Sequence, residues 1–407
     1  MLTINETRLL SDLTTLAEIG RTADDGVSRL ALSPADEAGR WWFQAQVIAA
    51  GLEFRQDGAG NLSAVLPAAD PQAQTLLIGS HLDTVLNGGR FDGALGVLAA
   101  LEVARTLAKA GAALPFHLEV ISFTDEEGAV VGLLGSQAMA GQLTRAHLAN
   151  PRGGAAALED GMARLGLTPD TILAARRDPA SLAGYVELHI EQGTRLEEAH
   201  LDIGVVTGIV GIRSAWLQFQ GQAAHAGTMP MLDRADALWG AAEFVQRAKT
   251  LVIDRFSPGV MNCGRLDLAP GSFNIVPAEV KLALEFRHGT EGQLDEMAAA
   301  LFSVAEEVAQ ANNLSVAIEE TSGCIAAPAA ETVVRAIETA ADQLGLSHTR
   351  LMSFAGHDTQ SMAAITPSAM IFVPSVNGVS HSPQEFTEDR DVINGANVLL
   401  QTVLALA

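Results

Sequence analysis

Three stretches of the chain share one pattern: an apolar run long enough for a buried strand, closed by acids and histidine. They read TLLIGSHLDTV (75–85), FHLEVISFTDEEG (116–128) and GYVELHIEQG (184–193). Between the first two lies GALGVLAALEVARTLAKAG (93–111), a helical pattern closed by Gly111. Near-continuous apolar strands alternating with helices predict an α/β domain with a largely parallel, buried sheet. Further elements fit this frame. NLSAVLP (61–67) and SAMIFVP (368–374) read as strands, and ETVVRAIETAADQLG (331–345) reads as a helix. SPADEAGRWWFQAQVIAAG carries Ser33 as a cap, Pro34 in the first turn, and Gly51 at its end.

The texture changes after residue 211. SAWLQFQGQ (214–222) alternates as a half-exposed strand, and 234–252 and 295–313 are helical. The segment 262–288 reads as strands joined by Pro/Gly turns, and 314–320 as another strand. Because α/β texture resumes at 331, a smaller α+β domain is expected to be inserted into the larger one. The expected limits are 1–211 with 329–407 for the large domain and 212–328 for the insert.

Totals narrow the function classes. With 48 acids against 25 bases, the net charge is −23. Such a surface disfavours nucleic acid and anionic membranes, which need clustered Lys and Arg. No apolar stretch approaches the roughly 20 residues that span a bilayer. The first twenty residues read as an amphipathic helix rather than a signal peptide, and the two cysteines, Cys263 and Cys324, are too few for a disulfide scaffold. A soluble cytoplasmic protein with a small-molecule substrate is expected.

The polar clusters carry the chemistry. His81 and Asp83 are two apart, so in the 75–85 strand they share a face. Asp92 precedes the 93–111 helix in GGRFDGALG, His189 sits in ELHIEQG, and His381 in GVSHSPQEF. Taken singly, each has a plainer reading: a hydrogen-bonded strand-end histidine, a solvated DEEG turn, an aspartate capping a helix. Taken together, three histidines and several carboxylates at strand ends form a ligand set for borderline metals such as Zn²⁺. In open α/β sheets, ligands bind at such ends.

GSHLDTV, the GGxxDGxLGV frame, FTDEEG, ELHIEQG, AAHAGTMP, FNIVP with EFRH, and GVSHSPQEF follow one another in this order from about residue 75 to 389. The series resembles the di-metal aminoacylase/carboxypeptidase superfamily, in its N-carbamoyl-L-amino acid hydrolase and allantoate amidohydrolase branch. The resemblance implies that Asp92 bridges two metal ions, with His81 and His189 completing one site and Glu127 and His381 the other. Zn²⁺ is the first expectation for both ions, with Mn²⁺ or Co²⁺ as alternatives. Asp83 would accept from the far nitrogen of His81. Glu126 would be the general base toward a metal-bridging hydroxide. It also implies that His225 donates to the oxyanion, that Arg287 clamps a substrate carboxylate, and that Gln192 and Asn274 touch substrate. The insert would act as a lid and form a homodimer. The Asp92–Gly93 peptide can be cis in that superfamily.

The implied activity is hydrolysis of a linear amide or ureido C–N bond in an N-carbamoyl L-amino acid or allantoate-like substrate with a free carboxylate. The alternatives are an N-acyl amino acid hydrolase or dipeptidase of the same superfamily, and a non-catalytic metal-binding protein on that scaffold. One departure bears on substrate. Where the branch commonly reads EEGxRF, this chain reads EEGAVVG, with Ala129, Val130 and Val131. Asp125 has no implied role beyond facing solvent or capping the turn.

Overall fold

Four strands lie side by side and parallel in the middle of the main sheet, in the order His117–Phe123, Thr75–His81, Leu182–Ile190, Ser368–Val373. Nearly all their residues are buried. This explains why they read as unbroken apolar runs rather than as alternation. Side chains still alternate between the two faces. Leu76, Ile78, Leu118, Val120, Val186 and Leu188 enter one core, while Leu77, Ile121, Phe123 and Tyr185 enter another on the opposite face. The computed structural model describes every residue except Ser322.

The flanks differ from the middle. Leu62–Leu66 runs antiparallel to His117–Phe123, and Glu53–Gln56 antiparallel to Leu62–Leu66. On the other side Ile203–Ile209 is antiparallel to Ser368–Val373, and His348–Ser353 joins it in parallel. The sheet is therefore mixed, with its parallel part central. Strands Glu53–Gln56, Ile203–Ile209 and His348–Ser353 were absent from the sequence reading, as was the C-terminal helix Asp389–Ala405. The strand from Thr75 stops at His81, four residues short of the apolar stretch, so Asp83 lies in the following loop.

The chain forms two compact units, Met1–Ile209 with Ala329–Ala407, and Val210–Pro328. The second unit is a four-stranded antiparallel sheet in the order Ser315–Glu320, Gly211–Gln220, Glu279–His288, Val260–Ala269. Leu217, Phe219, Val280, Leu282, Leu284 and Phe286 share one core with Phe244 and Ala248 of helix Ala237–Arg255 and with Leu301 and Ala305 of helix Glu291–Ala311. Among the described residues, no helix is long and apolar enough to cross a membrane.

Helix Ala94–Ala110 connects strands Thr75–His81 and His117–Phe123 and is buried from Ala94 through Leu107. Asp92 precedes it, so its seating fixes part of the site. Gly96 allows that seating: a Cβ there would lie 2.3 Å from the Leu188 carbonyl oxygen and 2.7 Å from Ser80 Cβ. Gly96→Ala sets about 1 kcal/mol of gained helix propensity against an overpacking cost of about 3 kcal/mol. The expected outcome is a net loss of about 2 kcal/mol, read as a lower denaturant midpoint at unchanged slope. A raised midpoint would contradict this packing argument.

Candidate metal centre

The carboxyl ends of the four central strands converge. His81 ends its strand, and His189 is the penultimate residue of its own. The Ile78–Val186 register, carried three residues on, sets the two histidines opposite each other, and their ring centroids are 6.0 Å apart. Strand His117–Phe123 runs into Asp125, Glu126 and Glu127, and strand Ser368–Val373 leads into the loop bearing Ser380 and His381.

Asp92 is the centre of the cluster. Its Oδ1 lies 3.1 Å from His189 Nε2 and 3.5 Å from His81 Nε2, and its Oδ2 lies 3.4 Å from His381 Nε2. Glu127 Oε2 is also 3.4 Å from His381 Nε2. Two groups result, His81–Asp92–His189 and Asp92–Glu127–His381, each with ligand atoms within 4.8 Å of one another. They share Asp92.

Local bonds fix these side chains. His81 Nδ1 lies 3.0 Å from the Asp83 main-chain carbonyl, and His189 Nδ1 2.9 Å from that of Ile190. With Nδ1 protonated on both rings, both Nε2 lone pairs point inward. The Gly93 N–H donates to His189 Nε2 at 3.3 Å, in keeping with that tautomer. The Asp83 carboxylate itself is 3.8 Å from His81 and instead accepts the N–H groups of Glu126 and Glu127, at 3.3 and 3.2 Å. The expected His81–carboxylate bond is thus replaced by a carbonyl bond, because the strand ends at His81 and turns Asp83 toward the acidic loop.

At Gly93 the backbone makes a tight turn with φ 64° and ψ −48°, closed by Ala94 N–H to the Asp92 carbonyl at 2.6 Å. A Cβ at Gly93 would lie 2.3 Å from the His81 ring. The cis peptides among the described residues are Ser257–Pro258 and Ala269–Pro270, so Asp92–Gly93 is trans.

Asp125 is fully buried, not solvent-facing. It has φ 56° and accepts from the N–H groups of Val130, Val131 and Gly132 at 3.0, 2.5 and 2.9 Å. Burial and the Asp83 charge push its pKa up to about 7, against the three amide donors. Val130 is also buried, in a cluster with Leu134, Leu143, Leu148 and Leu158.

Several partners escaped the sequence reading. Glu385 Oε1 accepts the N–H groups of Phe91 and Asp92 at 2.8 and 3.0 Å. The Ser380 hydroxyl lies 2.9 Å from Asp92 Oδ2 and 3.0 Å from Glu385 Oε2. Glu187, His189 and His357 form a further group of potential ligands. In it, however, Glu187 already accepts from Ser80 at 2.7 Å and from the Thr359 N–H and hydroxyl at 3.0 and 2.6 Å, and His357 Nε2 lies 2.9 Å from the Ser353 hydroxyl. The spacing of Glu187 two residues before His189 was the available signal. His357 and Asp358 follow a strand the sequence did not reveal.

Charge in the centre is unbalanced. Burial would raise the pKa of Asp92, but hydrogen bonds from His189, His381 and His81 in their protonated forms hold it well below the usual range. Burial opposes charge on His81, yet Glu126, Asp92 and Asp83 hold its pKa well above normal. Burial drives Glu126 far above the carboxylate range, helped by Asp358 and Glu127, and raises Glu127 to about 7. The pocket is short of positive charge. Glu127 Oε1 is buried without a hydrogen-bond partner. An orphaned carboxylate oxygen beside inward-facing imidazoles suits a divalent cation of the Zn²⁺, Mn²⁺ or Co²⁺ type.

Gln192 donates to Asp92 Oδ2 at 2.8 Å, while its Oε1 is buried without a partner. The remaining expected residues belong to the second unit. His225 and Asn274 are exposed and lie on paired segments, with Ala226 N–H donating to the Asn274 carbonyl at 3.0 Å. Arg287 donates to Glu285 Oε1 at 2.8 Å near the far end of strand Glu279–His288.

Asp125→Ala should leave three main-chain N–H groups without their acceptor and cost about 3 kcal/mol. A thermal unfolding comparison with wild type checks this, and a variant of unchanged Tm would show that water replaces the carboxylate.

Residues 77–405 match the model of peptidase family M20/M25/M40. An N-carbamoyl-L-amino acid amidohydrolase of Geobacillus stearothermophilus is 39% identical over 98% of both chains. An allantoate amidohydrolase of Bacillus subtilis (strain 168) is 31% identical over 96% of this chain and 95% of its own. The crystal structure of a hydantoinase/carbamoylase family amidase from Burkholderia ambifaria superposes with a TM-score of 0.92, at 37% identity, covering 100% of this chain and 98% of that one. This chain belongs to peptidase family M20/M25/M40, on its hydantoinase/carbamoylase branch of amidohydrolases.

Proposed function

We propose that this chain hydrolyses the linear ureido or amide C–N bond of an N-carbamoyl L-amino acid, or of an allantoate-like substrate carrying a free carboxylate. The observation that carries the proposal is Asp92, shared by two sets of N and O donors at the sheet's carboxyl edge. His81 and His189 with Asp92 would hold one divalent ion, and Glu127 and His381 with Asp92 a second, zinc first, with manganese or cobalt as alternatives. Bound there, such ions would polarise the scissile carbonyl and acidify water.

Glu126 is the proton carrier in this proposal. It stands outside both donor groups, 3.7 Å from His81 Nε2. Its Oε takes a proton from the attacking water and delivers it to the leaving nitrogen. The Asp83 carboxylate, by holding the Glu126 and Glu127 N–H groups, keeps the two glutamates in separate positions. Gln192 offers the substrate an unpaired buried Oε1.

In the second unit, His225 would donate to the oxyanion, Asn274 would contact substrate, and Arg287 would clamp its carboxylate. Eight residues of strand separate Glu279, beside the Asn274 turn, from Arg287, about 27 Å of extended chain. The two groups therefore fit one substrate only if they come from different chains, which supports a homodimer joined through this unit, with the unit serving as a lid. The cytoplasm suits a chain whose Cys263 and Cys324 form no disulfide.

The test uses one preparation on N-carbamoyl, N-acetyl and dipeptide substrates, with Zn²⁺, Mn²⁺ or Co²⁺ supplied. Ammonia release from N-carbamoyl or ureido substrates is expected, with loss of activity on chelation. Cleavage confined to N-acetyl or dipeptide substrates would instead identify an aminoacylase or dipeptidase. Glu126→Gln should retain metal and lose at least about a thousandfold in kcat; a rate near wild type would remove Glu126 from this role.

A further inference from the structure

Arg29 is a buried cation that the chemistry above does not use. It is 1% exposed, and among the described residues no carboxylate lies within ion-pair distance of it. Its guanidinium is spent on main-chain carbonyls. Nε donates to Leu82 at 2.7 Å, and Nη1 to Leu16 at 3.1 Å and Ile19 at 2.9 Å. Leu16 and Ile19 lie at the carboxyl end of helix Glu6–Ala17, where carbonyls are left over and a cation is favoured. The backbone of Arg29 also grips the same loop. Its N–H donates to Thr84 Oγ1 at 2.9 Å, and its carbonyl accepts from Thr84 N–H at 3.0 Å.

Leu82 and Thr84 bracket Asp83. The carbonyl of Asp83 takes the proton of His81 Nδ1, and its carboxylate takes the N–H groups of Glu126 and Glu127. Three bonds, one at Leu82 and two at Thr84, thus bear on how three site residues are presented. We propose that Arg29 is a positioning residue for the candidate metal centre, acting through the Leu82–Thr84 loop to hold Asp83, and through Asp83 to orient His81 and to place Glu126 and Glu127. The role rests on the metal-centre reading above. A lysine offers its three N–H donors from one nitrogen on a flexible stem, whereas the rigid guanidinium sets Nε toward Leu82 and Nη1 toward the helix end at fixed positions. Burial lowers the Arg29 pKa to about 10, so it stays protonated at neutral pH.

The test uses Arg29→Lys, with Gly39→Ala as a milder second variant. Gly39 lies in helix Pro34–Ala49, where alanine favours the helix, but its Cβ would sit 2.8 Å from Arg29 Cδ and displace that side chain. Dissociation constants for Zn²⁺ are measured by chelator competition, and kcat and KM at saturating metal, at a temperature where circular dichroism shows each protein folded. The expected result is at least tenfold weaker metal binding in Arg29→Lys, a smaller loss in Gly39→Ala, and a fall in kcat with KM within twofold. If Arg29→Lys does not fold, Gly39→Ala decides alone. Variants that lose only Tm, with metal affinity and kcat matching wild type, overturn the proposal. Wild-type protein that takes up no divalent ion overturns the metal reading, and this proposal with it.

Discussion

A carboxylate buried among three imidazoles, Asp92, is the constraint from which the rest of the first unit follows. It is 4% exposed and cannot hold its charge there without partners. Its two oxygens meet His81 and His189 on one side and His381 on the other, and Gln192 and Ser380 take up remaining lone pairs. Only a sheet whose middle strands run parallel delivers these groups to one edge, since an antiparallel arrangement would send alternate strand ends to opposite sides. The antiparallel strands are at the flanks, where no site residue is carried.

The three consecutive acids of SFTDEEG show how like charges are kept apart. Asp125 turns away into a bed of three amide N–H groups and shapes the loop. The N–H groups of Glu126 and Glu127 are held by a fourth carboxylate, that of Asp83. Their own side chains are thereby freed from local backbone bonding. Glu127 faces His381 and Glu126 faces His81. Four acids in so small a volume raise one another's pKa values, and a divalent cation relieves that strain better than protons do.

Much of this was legible in the sequence because strand ends and chemistry coincide. His81, Glu126, Glu127 and His189 each stand at the end of an apolar run, and Asp92 stands before a strongly patterned helix. What was hidden lacked that coincidence. Glu187 is inside a strand, where a charged residue among apolar ones looks like an exception until Ser80 and Thr359 are seen to satisfy it. His357 and Asp358 follow His348–Ser353, whose sequence HTRLMS is too polar to read as a buried strand. Glu385 works on main-chain N–H groups of residues nearly three hundred positions away, a relation no local pattern records. The bond from His81 to a carbonyl rather than to the Asp83 carboxylate depends on where one strand stops, which is the least certain property of a sequence-based boundary.

The same turn holds its backbone independently of its side chains at 130 and 131. Residues 129–131 depart from the branch's usual EEGxRF, yet Glu126 and Glu127 keep their places. The turn conformation is set by Asp125 through main-chain N–H groups, so it does not depend on which side chains residues 130 and 131 carry. Val130 is accommodated by Leu134, Leu148 and Leu158 of three short helices and by Leu143 of the loop between the first two. Val131 packs against the same cluster. The side chains at 129–131 belong to that apolar cluster, while the backbone that presents the acids is held by Asp125.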